Sequence, residues 1–305
     1  MNRKNLIVGQ SGGPTVVINS SLYGVVSEAM RQESIGRVYG MLNGIEGFLA
    51  GRFLDFKEAF GADELEKLKT TPGAYLGSCR YKLPEDLNDP VYPLLFRKFE
   101  ELEIGYFFYI GGNDSMDTVS KLSRYAAKTG SNIRVIGEPK TIDNDLVLTD
   151  HTPGFGSAAR YVASTVREIT VDANVYETKS VTIIEIMGRH AGWLAGSAAL
   201  AAWVGYGPDL IYLPEVDFDM ERFLADVPQV SQAKNKCLHA VSEGIHRADG
   251  AFIAEGVSAA ANDGFGHTQL GGLAALLADL LRQREPSAKV RGIELSLPQR
   301  CGAHS

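Results

Sequence analysis

The sequence predicts an α/β protein with mainly parallel sheets sandwiched by helices. Short β-branched or aromatic runs alternate with segments of helical period, the alternation recurs to the end of the chain, and 305 residues at 45% hydrophobic content can bury a large core. Leu6-Ile7-Val8 is the first candidate strand; a helix follows from about Thr15 to Arg31, and Arg37-Val38-Tyr39 is the next strand. Tyr106 to Ile110 form another, followed by a helical segment through Tyr125-Ala126-Ala127 that Gly130 closes, and Ile133 to Ile136 resume the strand pattern. Further strands are expected at Val181 to Ile186, Leu210 to Leu213, Leu238 to Val241 and Val290 to Leu297. Residues 154 to 176 read as one long helix, and Leu273, Leu276, Leu277, Leu280 and Leu281 fall at helical spacing as a core stripe. The length fits two domains or one large α/β unit, with a change of domain near residue 150, which gives 1–150 and 151–305. Ligands of such sheets bind at the carboxyl ends of the strands.

Composition excludes several function classes. A formal charge of -7 repels a polyanion, so a general nucleic-acid binder is not expected, and any phosphate site has to gather its basic groups locally. Three scattered cysteines, Cys79, Cys237 and Cys301, form neither a disulfide framework nor a thiolate metal cage and are read as structural. The opening residues lack a secretory apolar segment and no apolar run is long enough for a bilayer, so no membrane is expected and the cytoplasm is the default compartment.

Four loops carry the chemistry. Gly9-Gln10-Ser11-Gly12-Gly13-Pro14 lies between a strand and a helix, where glycines let backbone N–H groups approach phosphate oxygens. It fits neither the Walker nor the dinucleotide pattern, and a tight structural turn explains it equally well. Gly111-Gly112-Asn113-Asp114-Ser115 follows an apolar strand with hard oxygen side chains suited to a magnesium-phosphate contact, or with Asp114 or Ser115 as an ordinary helix cap. Pro139-Lys140-Thr141-Ile142-Asp143-Asn144-Asp145 is a turn composition too. It also brings together a carboxylate able to take a hydroxyl proton and a lysine able to neutralise a transferring phosphoryl group. Met187-Gly188-Arg189-His190 offers a close backbone approach and a planar guanidinium, or simply a turn with a surface arginine. Arg80, Arg291 and Arg300 are scattered bases, and Glu243 is a carboxylate at the end of a strand; Asn19 needs no special role.

Taken together and in order, GGNDSMDT, PKTIDND, TPGFGSAARY and EIMGRHAGW resemble the phosphofructokinase family, and within it the pyrophosphate-dependent branch, over essentially the whole chain. The resemblance implies two similar Rossmann-like domains, the first binding the phosphoryl donor and the second, shortened at its C-terminal part, binding the sugar phosphate. It implies Mg²⁺-dependent, reversible transfer of phosphate from pyrophosphate to the 1-hydroxyl of fructose 6-phosphate, by a homodimer or homotetramer. Asp143 becomes the base, with Thr141 and Asp145 beside it, and Gly12 and Arg80 meet the donor. Asn113 stands where ATP-using relatives carry a magnesium-serving Asp, so the metal role is shared with Asp114. Met187, Gly188, Arg189, Glu243 and Arg300 fall at sugar-phosphate positions, and Arg291 at a basic position that can act across a subunit contact.

Two substitutions bear on the donor. ATP-using relatives have glycine at the positions of Asp114 and Lys140; a carboxylate at 114 places charge and bulk where an α-phosphate would lie, and Lys140 can balance charge on pyrophosphate. Three features depart from the family pattern: Leu297 replaces an aromatic or histidine, Ser180 replaces an arginine with Lys179 next to it, and the sequence ends at Ser305, where relatives continue. An ATP-dependent 6-phosphofructokinase and a non-catalytic sugar-phosphate-binding regulatory subunit are the alternatives.

Overall fold

The computed structural model describes residues 3–255 and 270–301, in two compact units: residues 3–141 with residue 301 form the first, and residues 142–255 with 270–300 the second. The division falls inside the Pro139–Asp145 loop, whereas the sequence places a change of domain near residue 150.

In the first unit β1 (Lys4–Gln10), β2 (Ile35–Met41), β3 (Phe53–Asp55), β4 (Ile104–Gly111) and β5 (Arg134–Pro139) form a sheet in the order β3-β2-β1-β4-β5. All pairings are parallel except that of β3 with β2. The sequence misses β3, because three residues at an antiparallel edge lack the strand-helix rhythm that reveals the others. Residue parity sorts the faces. Leu6, Val8, Val38 and Ile110 pack under α1 (Ile18–Arg31) through Leu22, Val26 and Ala29. Ile7, Tyr39, Phe107 and Tyr109 point to the other face, where α2 (Gly44–Leu49) supplies Ile45 and Phe48. The short α3 (Phe56–Ala59) and α4 (Ala62–Glu66) close the α1 side with Phe56 and Leu65. Then α5 (Val91–Glu101) and α6 (Asn113–Thr129) complete the second face with Leu95, Phe99 and Leu122. Each fully buried aliphatic or Phe side chain here contributes roughly 1.5–3 kcal/mol. Gly130, at φ 69°, ends α6 in the left-handed conformation and donates to Ala126 and Ala127, as the sequence predicts.

The second unit opens with α7 (Phe155–Ala173), three residues shorter than expected at its end. Strands β6 (Ser180–Ile186), β7 (Leu210–Tyr212), β8 (Lys236–Ser242) and β9 (Lys289–Glu294) follow in the order β7-β8-β6-β9, all parallel. Central β6 is buried along all seven residues, which is why it reads as an unbroken apolar run. α7 and α8 (Trp193–Ser197) cover Ile184, Ile186, Leu238 and Ala240. α9 (Met220–Lys234) and α10 (Leu273–Arg284) cover Val181, Ile183, Cys237 and Val241, and a final turn, α11 (Pro298–Cys301), follows β9. Of the predicted leucine stripe, Leu273, Leu277 and Leu281 are fully buried, while Leu276 and Leu280 pack at the margin of the same cluster. Both units are helix-sheet-helix sandwiches with mainly parallel sheets, as predicted. Among the described residues no helix is long and apolar enough to cross a membrane.

Candidate active site

In the first unit, strand order decides which loops meet. The chain runs from β1 to β2 on one side and then across to β4 on the other, so the loops after β1 and β4 diverge at a topological switch point. Gln10 is in register with Ile110, and Gly111 with Pro139. Ser11-Gly12, Gly112-Asn113 and Lys140 therefore leave the sheet side by side. Gly12, at φ 76°, donates its N–H to Cys79 O at 3.2 Å, and Ser78 Oγ donates to Gly12 O at 2.6 Å. That pairing brings Arg80, exposed and next to Cys79 in the chain, beside the glycine loop.

Lys140 is 3% exposed; its backbone N–H donates to Gly111 O at 2.9 Å and its Nζ to Gly13 O at 2.5 Å. A Cβ on Gly12 would lie 3.9 Å from Lys140 Nζ and 4.0 Å from both Gly112 N and Ser115 Oγ. Three donors thus border a space that any side chain at position 12 would fill, which is the arrangement an anion needs. Ser115 is buried, and its hydroxyl has no hydrogen-bond partner among the described residues. The sequence leaves Ser115 out of the site; its place in the Gly-Gly-Asn-Asp-Ser turn was the available signal. Neither Asp114 nor Ser115 caps α6 as suggested: Gly112 occupies the cap, Asn113 begins the helix exposed, and half-buried Asp114 sits in its first turn.

Asn19 has a larger part than the sequence assigns it. Its Oδ1 accepts from Gln10 Nε2 at 2.9 Å and Tyr75 N at 2.8 Å, and its Nδ2 donates to Thr71 O and Gly73 O. Gln10 Oε1 also accepts from Leu76 N at 2.9 Å. These two fully buried amides hold residues 71–76, and so Ser78 to Arg80 beyond them, against the loop that carries Gly12.

In the second unit, Asp143 is half-buried and Asp145 exposed, because Asn144 between them turns into the left-handed region at φ 57°. Asn144 secures that turn by donating to Asp150 O at 3.0 Å and accepting from Thr152 N at 2.8 Å. Thr141, the first-unit residue directly before Ile142, is buried. Adjacent strands β8, β6 and β9 deliver Glu243, Met187-Gly188-Arg189 and the Arg300 turn at their carboxyl ends. Burial pushes the Glu243 carboxyl up to about 7; the Gly188 N–H on its Oε1 at 3.3 Å opposes this, the charges of Asp143 and Glu185 add to it, and Arg189 offsets part of it. Asp143, Glu243 and Arg189 therefore share one electrostatic neighbourhood. Glu185, buried on β6, is likewise raised to about 7 by burial, although Ala274 N donates to its Oε2 at 2.8 Å. Perturbed carboxyls of this kind gather where protons are handled.

Two basic residues stand apart from this group. Arg291 lies on the body of β9 opposite Thr182, four residues short of the end of β6, in a groove lined by Glu168, Asp172, Thr182 and Ile293. Lys179 lies at the opposite, amino end of β6, paired with Glu285 at 2.7 Å.

The phosphofructokinase family pattern matches residues 5–293, through both units and all four loops. The chain belongs to the phosphofructokinase family. It is 43% identical over 289 residues to a pyrophosphate–fructose 6-phosphate 1-phosphotransferase of Methylococcus capsulatus, an alignment covering 93% of this chain and 68% of that protein. It is 42% identical to the protein of the same name in Rhodospirillum rubrum, over 98% of this chain and 74% of that one. Among solved structures, the pyrophosphate-dependent phosphofructokinase of Nitrosospira multiformis superposes with a TM-score of 0.85 at 36% identity, covering 99% of this chain and 71% of that chain.

Proposed function

We propose that this phosphofructokinase transfers a phosphoryl group from pyrophosphate to the 1-hydroxyl of fructose 6-phosphate, releasing phosphate and fructose 1,6-bisphosphate. The observation that carries the reading is the buried Lys140 ammonium at the Gly12–Gly112 cradle, with Asp114 in the helix turn beside it. A cationic, glycine-walled space suits a compact diphosphate, and the Asp114 carboxylate disfavours the longer polyphosphate of a nucleotide. The close relatives named for this activity support it.

Asp143 takes the proton of the 1-hydroxyl as that oxygen bonds to the transferring phosphorus, and Thr141 and Asp145 assist from either side. The bridging P–O bond of pyrophosphate breaks, and Lys140, the Gly12 loop and Arg80 receive the charge that develops on the departing phosphate. Two residues, Thr141 and Ile142, separate Lys140 from Asp143, so the chain itself limits the separation of their backbones to about 11 Å. Met187, Gly188, Arg189, Glu243 and Arg300 hold the sugar phosphate. Reversibility follows from the similar phosphoryl energies on the two sides.

Among the described residues no three His, Cys, Asp or Glu are grouped to hold a metal. The side-chain oxygens of Asn113 and Asp114 are hard donors of the kind Mg²⁺ takes, and these two residues would hold it. When bound, Mg²⁺ supplies charge neutralisation on the phosphates. Arg291, on the strand body, fits a contribution to a neighbouring subunit's site in a homodimer or homotetramer, a state that sedimentation measures. We place the enzyme in the cytoplasm. The direct test is ³¹P NMR of protein, Mg²⁺, pyrophosphate and fructose 6-phosphate: phosphate and a C1 phosphate ester should grow together, and starting from products the signals should reverse. Pyrophosphate loss without the ester would contradict the reading.

A further inference from the structure

The loop that presents Arg189 has a backbone no ordinary residue adopts. Gly188 sits at φ 135°, and a Cβ there would lie 2.5 Å from Ala191 O. One position along, Arg189 O lies so close to Gly244 that a Cβ on Gly244 would come within 1.9 Å. Such a conformation persists only where its surroundings over-determine it. Three side chains from outside the loop do so, on three successive peptide units. Gln299 Oε1 accepts from Met187 N at 3.2 Å, Glu243 Oε1 accepts from Gly188 N at 3.3 Å, and Ser242 Oγ donates to Gly188 O at 2.5 Å.

Glu243 already belongs to the sugar-phosphate group, but Gln299 and Ser242 do not. Both are buried, at 1% and 0% exposure, so each hydrogen bond is shielded from competing water. Ser242 closes the β8 end onto the loop and also accepts from Gly244 N at 3.4 Å. Gln299 has a second role. Its Nε2 donates to Ser296 O at 2.9 Å, where the backbone takes φ 45° at a non-glycine residue, and its chain neighbour is Arg300. One buried amide therefore joins the turn that carries Arg300 to the loop that carries Arg189.

We propose that Ser242 and Gln299 are positioning residues for acceptor binding. They fix the Met187–Arg189 backbone, and Gln299 additionally sets the spacing between Arg189 and Arg300, so that the two guanidinium groups match one sugar phosphate. The inference rests on the reading of this site as the fructose 6-phosphate site. A positional fault of about 1 Å in such a pair is costly because bidentate phosphate recognition depends on geometry.

The test uses the full chain with Ser242→Ala, Ser242→Thr and Gln299→Ala. The account expects the KM for fructose 6-phosphate to rise about 10-fold in each alanine variant, while the KM for pyrophosphate stays within about 2-fold. Ser242→Thr keeps the hydroxyl and should recover most of the loss. Amide hydrogen exchange of the 187–189 segment, read without substrate, should quicken in both alanine variants. Slower exchange or none of these changes in folded variants would overturn the proposal, as would both KM values rising together in step with a lowered melting temperature. If the wild-type chain neither binds nor phosphorylates fructose 6-phosphate while exchange still quickens, the reading of the substrate fails and the backbone clamp stands.

Discussion

In the first unit the candidate residues are backbone N–H groups, one buried ammonium and one buried hydroxyl; in the second they are carboxylates and guanidinium groups. The first is held by strand register and by the Gln10–Asn19 amides, and the second by side chains that reach from one strand end to the next. The raised carboxyls Glu185 and Glu243 both belong to the second. The contrast implies a division of labour. Donor recognition is read as a matter of fixed positive potential, which asks nothing of proton equilibria, whereas the second unit carries two carboxyls, Glu185 and Glu243, whose ionisation burial has shifted.

The largest effect that sharpens this division is expected at Asp143. Asp143→Asn should lower kcat by about 10³-fold with little change in either KM, since the amide keeps the shape and loses the proton acceptor. A mild loss would move the base elsewhere. Next, Asp114→Gly with Lys140→Gly should lower kcat/KM for pyrophosphate by about 10²-fold and relax the exclusion of ATP. Unchanged pyrophosphate kinetics in that double variant would remove the donor half of the account.

The second unit also predicts a pH effect on stability. His239, fully buried on β8, has no partner for either ring nitrogen among the described residues, and burial lowers its pKa to about 4. Unfolding restores the ordinary value near 6.5, so His239 contributes stability that is fully present above that value and is lost as pH falls toward 4. The raised Glu185 and Glu243 act in the opposite sense, losing their contribution as pH rises from about 4.5 to 7. Comparing wild type with His239→Leu isolates the histidine. In urea titrations the difference should shift by about 2 kcal/mol in the variant's favour between pH 7 and pH 5, and a pH-independent difference would refute it.

The smallest effect separates recognition from folding within the donor site. Ser115→Ala should raise the KM for pyrophosphate about 5-fold while leaving stability unchanged or slightly higher, because the lost hydroxyl has no internal partner to abandon. A destabilised variant with normal kinetics would make Ser115 structural.

The sequence makes the sandwiches legible because strands such as β6 are buried on both faces and so read as unbroken apolar runs between helical segments. The glycine loops are legible because they follow such runs directly. It is strand order that brings Gly12, Gly112 and Lys140 together, and residues 12 and 140 are far apart in the chain, so no local pattern announces their meeting. Asn19, Ser115, Ser242 and Gln299 escape for a related reason: a buried amide or hydroxyl looks like any surface one until its partner is located. Edge strand β3 is too short to show a period.

The most direct test of the central claim offers both donors to the same protein. With fructose 6-phosphate and Mg²⁺, kcat/KM should be measured for pyrophosphate and for ATP in one coupled assay. A cradle with Lys140 and Asp114 in place predicts that pyrophosphate is preferred by at least about 10²-fold. Equal use of the two donors, or a preference for ATP, would contradict it.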